Sequence, residues 1–384
     1  MENVRIGVIG VGGMGSEHCR YLSKGEVARA RLTAVCDIDP ERLKRFEGEK
    51  VKIFSDSAAL IRSGEVDAVI IATPHYDHTT IGMDALEQGL HVLVEKPISV
   101  HKADCERLLA AHKNPKQVFS VMFQMRTYPE FKKIKQLVDQ GELGRIQRIN
   151  WVITAWYRTE AYYASGGWRA TWKGEGGGVL LNQCPHNLDL LQWIGGMPAR
   201  VNAFCGFGKY HAIETEDEVT AYLEYENGAT GVFIATTGEA PGTDRLEIAG
   251  DRGNLIFEGG KIRFQRNEVD ARTHSKAAAE GFSRPETWQV EIPVRGASRN
   301  HVDVTQNFVE AILDGTPLIA PATEGARSVE LANAMLYSAW TGQTVLLPLD
   351  GASYEAKLKA MIAESKFVKG DVRKVEADVS ASFR

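Results

Sequence analysis

The chain opens on short apolar runs that alternate with amphipathic stretches. Residues 4–9 are almost wholly apolar, and Gly10-Val11-Gly12-Gly13-Met14-Gly15 follows at once. Residues 14–23 show helical spacing. Residues 31–36 are apolar again and end in Asp37-Ile38-Asp39. This pattern predicts strand, tight turn, helix, strand. Residues 66–72 form a nearly continuous apolar run, as expected of a parallel strand covered on both faces, and lead into Thr73-Pro74-His75-Tyr76-Asp77-His78. A helix is predicted over 79–88 with Gly89 as its stop. A strand over 91–94 then ends in Glu95-Lys96-Pro97. The alternation continues to about Phe123 and predicts one doubly wound parallel sheet of the Rossmann kind.

Beyond Gln147 the pattern changes. Strand-like runs fall at 149–155, 201–204, 218–225, 230–236, 246–249, 254–257 and 261–265, separated by turn signals such as Glu226-Asn227-Gly228 and Gly250-Asp251-Arg252-Gly253. The division expected is a dinucleotide domain over 1–123, a substrate and oligomerisation domain over 124–348, and a C-terminal helix and tail over 349–384. The tail has a helical pattern over 354–365, then a charged stretch to Arg384 that either wraps a partner subunit or stays partly disordered.

Composition narrows the function. The 384 residues carry 45 Lys plus Arg and 50 Asp plus Glu, a net charge of −5. That balance argues against a nucleic-acid or anionic-membrane partner. No apolar run approaches the ~20 residues of a membrane span, and the first residues lack a signal-peptide core. The five cysteines, Cys19, Cys36, Cys105, Cys184 and Cys205, are odd in number and scattered. They form neither a disulfide framework nor a zinc spacing, so a reducing cytoplasm is expected. No His, Asp and Glu spacing reads as a metal site.

Gly10, Gly12 and Gly15 fit G-x-G-x-x-G in its required context: after a strand, at the opening of a helix, with Asp37 at the end of the next strand. The helix N-terminus offers N–H groups to a pyrophosphate. Asp37 suits the ribose hydroxyls and repels a 2′-phosphate, so NAD is expected rather than NADP. Ligands of such sheets sit beyond the strands' carboxyl ends, where Thr73 to His78 and Glu95 to Pro97 also fall.

At these residues the sequence resembles the Gfo/Idh/MocA family, the glucose–fructose oxidoreductase and inositol dehydrogenase group. The glycine turn, Ile71-Ala72-Thr73-Pro74 with His78, and Ala85 through Gly89 to Glu95-Lys96-Pro97 carry the likeness. So do Gly176-Gly177-Gly178-Val179-Leu180 with His186 and Asp189, and Phe308 to Gly315. The resemblance covers the chain to about Leu347. It implies a second α/β domain built on a large, open, mostly antiparallel sheet, which often makes a homodimer or homotetramer interface. It also implies an NAD-dependent dehydrogenase acting on a secondary hydroxyl of a sugar, cyclitol or glycoside. In that reading Lys96 polarises the reacting oxygen and His186 is the general acid/base. The cofactor set is Gly10, Gly12, Gly13, Met14, Gly15, Asp37, Ile38, Thr73, Pro74, His75, His78, Glu95, Lys96 and Gln124.

Apolar periodicity places His186 near a helix start with Pro185 in the first turn. The dipole there and Lys96 both favour neutral imidazole. Many relatives have aspartate four residues before this histidine; here it is Asn182. If both are helical they share a face, and Asn182 is assigned to substrate. Asp189 either is structural or orients His186. The aromatic, arginine-bearing segment from Trp151 to Trp172 reads as a substrate loop that includes Arg158, and the resemblance implies that its Trp168 and Arg169 lie near the cofactor as binding residues. Arg126 and Tyr128 are expected to line the same cleft. His301 is expected at a helix start. Two other readings share the architecture: a glycoside hydrolase that oxidises transiently with tightly held NAD, and a non-catalytic dinucleotide-binding regulator.

Overall fold

The computed structural model describes residues 2–370. The charged stretch toward Arg384 lies outside the described residues from Asp371 onward. Strands β1 (Val4–Ile9), β2 (Ala30–Cys36), β3 (Lys52–Phe54), β4 (Ala68–Ile71), β5 (His91–Val94) and β6 (Phe119–Val121) form a sheet of order β3-β2-β1-β4-β5-β6. Every pairing in it is parallel. Val69, Ile70 and Ile71 are fully buried, as a run apolar on both faces requires. The chain order reverses between β1 and β4, which opens a crevice beyond their carboxyl ends. The helix expected over 79–88 starts earlier and spans His75–Glu87. Pro74 stands at its N-cap with φ −58°, a ready entry to a helix, so His75 and His78 lie in the first two turns.

The second sheet holds β7 (Ile146–Ile153), β8 (Arg200–Phe207), β9 (Glu216–Glu224), β10 (Thr230–Thr236), β11 (Asp244–Gly250), β12 (Gly253–Glu258), β13 (Lys261–Asn267), β14 (Thr287–Ile292) and β15 (Val345–Leu346). Its order is β14-β13-β12-β11-β7-β10-β9-β8-β15. Only β7 and β10 pair in parallel. Alternate residues point to one face, where Ile149, Trp151, Ile153, Val219, Ala221 and Leu223 are buried. Helices Pro129–Asp139, Pro185–Gly195 and Ala322–Thr341 share that core. On the other face Phe204 and Tyr222 are exposed. β14 escapes the sequence pattern because it is an edge strand with no buried residue.

Helix His301–Asp314 crosses back to the parallel sheet. Val302, Val304, Phe308 and Val309 pack with Val4, Ile6, Val8 and Leu93. Among the described residues, no helix is long and apolar enough to cross a membrane.

Candidate active site

The glycine turn is shaped by close packing. A Cβ on Gly15 would lie 1.7 Å from the carbonyl oxygen of Gly10, so only glycine lets the helix approach the turn. Helix Gly13–Ser23 begins there without a side-chain cap, leaving the first N–H groups of Gly13, Met14 and Gly15 directed out of the turn. Asp37 is buried; one carboxylate oxygen accepts from Val11 N at 2.8 Å and the other from Asp39 N at 2.9 Å. Arg42 Nη1 stands 3.5 Å from the same carboxylate. Ile38, beside it, is 90% exposed.

At the ends of β4 to β6, several buried polar atoms have no partner among the described residues: Thr73 Oγ1, His75 Nδ1, and both Nε2 and Oε1 of Gln124. With the uncapped helix and the Asp37 carboxylate, these residues fit a dinucleotide. His78 differs from its expected role. Its Nδ1 lies 2.8 Å from the Pro97 carbonyl and its Nε2 2.9 Å from the Thr73 carbonyl. The ring ties the β4 and β5 loops together, so it shapes the cofactor edge while both its nitrogens are engaged by the chain.

Glu95 is buried below the cleft. His18 Nε2 meets its Oε1 at 2.8 Å, His18 Nδ1 meets Tyr21 Oη at 2.7 Å, and Tyr21 Oη meets Thr305 Oγ1 at 2.6 Å. Burial alone would raise the Glu95 carboxyl, but the hydrogen bond from His18 and nearby positive charge hold it at about 2. His301 does start its helix, and its ring packs edge-on to His18 with centroids 5.8 Å apart.

Lys96 emerges from this base. Its Nζ donates to the carbonyl oxygen of Asn182 at 2.9 Å. Burial lowers its pKa, with Glu95 opposing. Four residues past Asn182, His186 is buried, and neither ring nitrogen has a partner among the described residues. Its imidazole is held well below the ordinary range, first by burial and then by the charge of Lys96. Phe123 packs edge-on to it at 5.8 Å. The expected helix begins at Pro185, so Asn182 lies in the preceding turn and the shared-face argument does not apply. A different contact brings Asn182 in. Its Oδ1 accepts from Tyr162 Oη at 3.1 Å, and its Nδ2 donates to Glu175.

Glu175 and Tyr162 complete the cluster. Glu175 is buried and accepts from Ala170 N at 2.6 Å. Burial raises its pKa, against Arg169, Ala170 N–H and Asn182. The only sequence signal for it is an acid set directly before Gly176-Gly177-Gly178. Those glycines pack tightly too: a Cβ on Gly178 would lie 2.0 Å from the Glu216 carbonyl. Tyr162 Oη also accepts from Arg169 Nη1 at 2.9 Å and Gln183 Nε2 at 3.0 Å. The guanidiniums of Arg158 and Arg169 lie 5.2 and 4.7 Å from its ring centroid. Trp168 packs on His75 at 5.5 Å and under Arg169 at 4.6 Å. The aromatic loop therefore reaches the Lys96 end of the cleft.

Arg126 does not serve as expected. It is 1% exposed, and Nε and Nη2 grip Asp189 at 2.7 and 2.6 Å. Nη1 donates to the Ile319 carbonyl at 3.0 Å and to Glu324. Four of its five N–H groups meet protein acceptors, so the structure places it as a buried strut within the second domain, between helix Pro185–Gly195 and the start of helix Ala322–Thr341, and not as a cleft-lining side chain. Asp189 is accordingly structural. Tyr128 stacks on Phe131 with centroids 6.3 Å apart and packs against the second domain's core. Among the described residues no group of three or more His, Cys, Asp or Glu side chains suits a metal ion.

A parallel sheet of this order, a glycine turn at a helix start and a buried acid at the end of β2 are the marks of a dinucleotide-binding Rossmann domain. Residues 4–123 match the oxidoreductase family model of the NAD-binding Rossmann fold, and residues 131–256 match its GFO/IDH/MocA C-terminal domain. The chain belongs to the Gfo/Idh/MocA oxidoreductase family. It is 28% identical over 348 residues to inositol 2-dehydrogenase 2 of Saccharopolyspora erythraea, covering 89% of this chain and 94% of that protein. It is 27% identical over 268 residues to myo-inositol 2-dehydrogenase of Thermotoga maritima, covering 66% and 75%. Among solved structures, the WlbA dehydrogenase of Bordetella pertussis, in complex with NADH and UDP-GlcNAcA, matches with a TM-score of 0.76 at 26% identity. That match covers 91% of this chain and 100% of the other.

Proposed function

We propose that the protein is an NAD-dependent dehydrogenase of a secondary hydroxyl on a sugar, cyclitol or glycoside. One observation carries this reading. Lys96, held at the Asn182 carbonyl, stands within electrostatic reach of a buried His186 whose two ring nitrogens have no partner among the described residues. NAD, when bound at the glycine turn, supplies the hydride acceptor. His186 takes the hydroxyl proton at a ring nitrogen, which its neutral state allows. Lys96 bonds the reacting oxygen and stabilises its negative charge. In the reverse direction His186 returns the proton. Asn182 and Tyr162 bind neighbouring hydroxyls.

The test is absorbance of the reduced nicotinamide on mixing pure protein and NAD with myo-inositol, glucose, levoglucosan and glucuronate, with NADP in parallel. NAD reduction by one of them supports the reading. Cofactor that copurifies, with glycoside cleavage and no net reduction, replaces it with the hydrolase. Cofactor binding without turnover of any substrate replaces it with a regulator.

The exposed Phe204 and Tyr222 lie on the uncovered sheet face, which we assign to a homodimer or homotetramer interface. The five free cysteines suit the cytoplasm.

A further inference from the structure

The loop carrying Trp168 and Arg169 is held in an uncommon shape. Gly166 has φ +133°, and Ala170, which has a Cβ, has φ +54°. Such a backbone persists only where its surroundings enforce it. Two charged side chains do so from opposite sides. On the amide side, Glu175 accepts from Ala170 N at 2.6 Å. On the carbonyl side, Lys369 Nζ donates to the oxygens of Gly166 and Arg169, both at 2.6 Å.

Lys369 reaches the loop from about 200 residues away, on the segment after helix Gly351–Glu364. That segment is itself anchored. Ser365 Oγ bonds Glu214, whose other carboxylate oxygen accepts from Trp172 N at 2.8 Å. Phe367 faces a cavity of about 260 Å³ with Tyr163, Ala170 and Ile213. The ammonium's two bonds go to main-chain carbonyls, so they depend on the path of the backbone rather than on another charge.

We propose that Lys369 is a positioning residue of the active site: it pins the 166–170 turn, so that Trp168 stays against His75 and Arg169 stays on Tyr162. The C-terminal segment is then part of the machinery, and the loop's aromatic wall depends on it. The kinetic consequence rests on the dehydrogenase reading; the pinning does not.

The experiment uses the full chain with Lys369→Met, which keeps the aliphatic stem, and Lys369→Arg, which keeps a cation able to donate to both carbonyls. The first readout is the rate of trypsin cleavage after Arg169, mapped by mass spectrometry. The second is kcat and KM for whichever of the four polyols the wild type oxidises. Lys369→Met is expected to speed cleavage at least tenfold and to lower kcat/KM roughly tenfold or more, the scale of a displaced positioning group. Its melting temperature should stay unchanged, and Lys369→Arg should restore both readouts. Wild-type cleavage and kinetics in Lys369→Met would overturn the proposal. So would a loss of activity that tracks a fall in melting temperature and is not rescued by arginine. If the wild type oxidises none of the four, the dehydrogenase reading fails, and cleavage alone still decides the pin.

Discussion

Lys96 Nζ and the carbonyl oxygen of Asn182 are 2.9 Å apart, although 86 positions separate them in the chain. This bond spans the domain junction. It joins the loop after β5 to the turn that leads into the His186 helix, so a cation and a neutral base from different domains share one cleft. The packing of the second domain on the parallel sheet therefore sets how near the Lys96 charge comes to the His186 imidazole.

The first prediction concerns that base. His186→Ala should lower kcat by about 10²–10⁴, the usual worth of a general base, or roughly 3–5.5 kcal/mol of barrier. Burial and the Lys96 charge hold the imidazole well below its ordinary value of 6.5. It therefore stays unprotonated at neutral and mildly acid pH. The acid limb of kcat/KM should fall below pH 6.5. A limb centred above that value, measured on the reactive substrate, would remove His186 as the base.

Much of this site is legible in the sequence because its determinants are local. The glycine turn and Asp37 follow from spacing within one strand–turn–helix–strand unit, whereas Lys96 and His186 stand out only through the family resemblance, because spacing alone reads a solvated lysine and a core histidine there just as well. Arg126 reads as a cleft residue because nothing near it in sequence shows that Asp189, 63 residues on, claims its guanidinium. Asn182 reads as helical because Pro185 fixes only where the helix can begin, not whether the preceding turn joins it. Glu175, Lys369 and the His18 relay are not legible. Each acts through a partner brought near by packing between elements, and periodicity records which face is buried, not what it meets.

A second prediction tests cofactor choice. Arg42 Nη1 is 3.5 Å from the Asp37 carboxylate. Asp37→Ser removes the negative charge and leaves the guanidinium beside the ribose-binding position. The ratio of kcat/KM for NAD to that for NADP should fall roughly a hundredfold, the scale of a relieved like-charge clash. Arg42→Ala in the Asp37→Ser background should reverse part of the gain with NADP.

A third prediction is acid stability. Glu95 has a carboxyl held down to about 2 from 4.5 in the folded chain. A depressed carboxylate stabilises the fold above its unfolded pKa and loses that contribution as pH falls through the folded value. Its share, roughly 3 kcal/mol, should be complete above pH 4.5 and decline toward pH 2. Urea unfolding from pH 7 to 3 should therefore be less steep in pH for Glu95→Gln than for wild type. His18→Ala removes the bond that holds the carboxyl down against burial, so the pH-dependent contribution itself should shrink and the curve should again be less steep than wild type. Equal curves for all three proteins would show that the pair does not govern acid unfolding.

The last prediction separates a strut from a substrate ligand. Arg126 and Asp189 are each 1% exposed in their side chains and share two hydrogen bonds. Arg126→Ala strands the Asp189 carboxylate in the interior, where burial already raises its pKa. Breaking one side of such a pair costs about 3–5 kcal/mol, so the urea midpoint should drop sharply. Replacing both partners, as Arg126→Met with Asp189→Leu, leaves no unpaired charge in the interior, since Glu324, which also loses Arg126, is partly exposed, and it should recover most of that stability. The folded double variant should also keep the substrate KM close to wild type. A KM raised more than tenfold in a stable double variant would return Arg126 to the substrate site, because a sound fold that binds substrate poorly means the guanidinium had been serving substrate rather than the interior of the second domain.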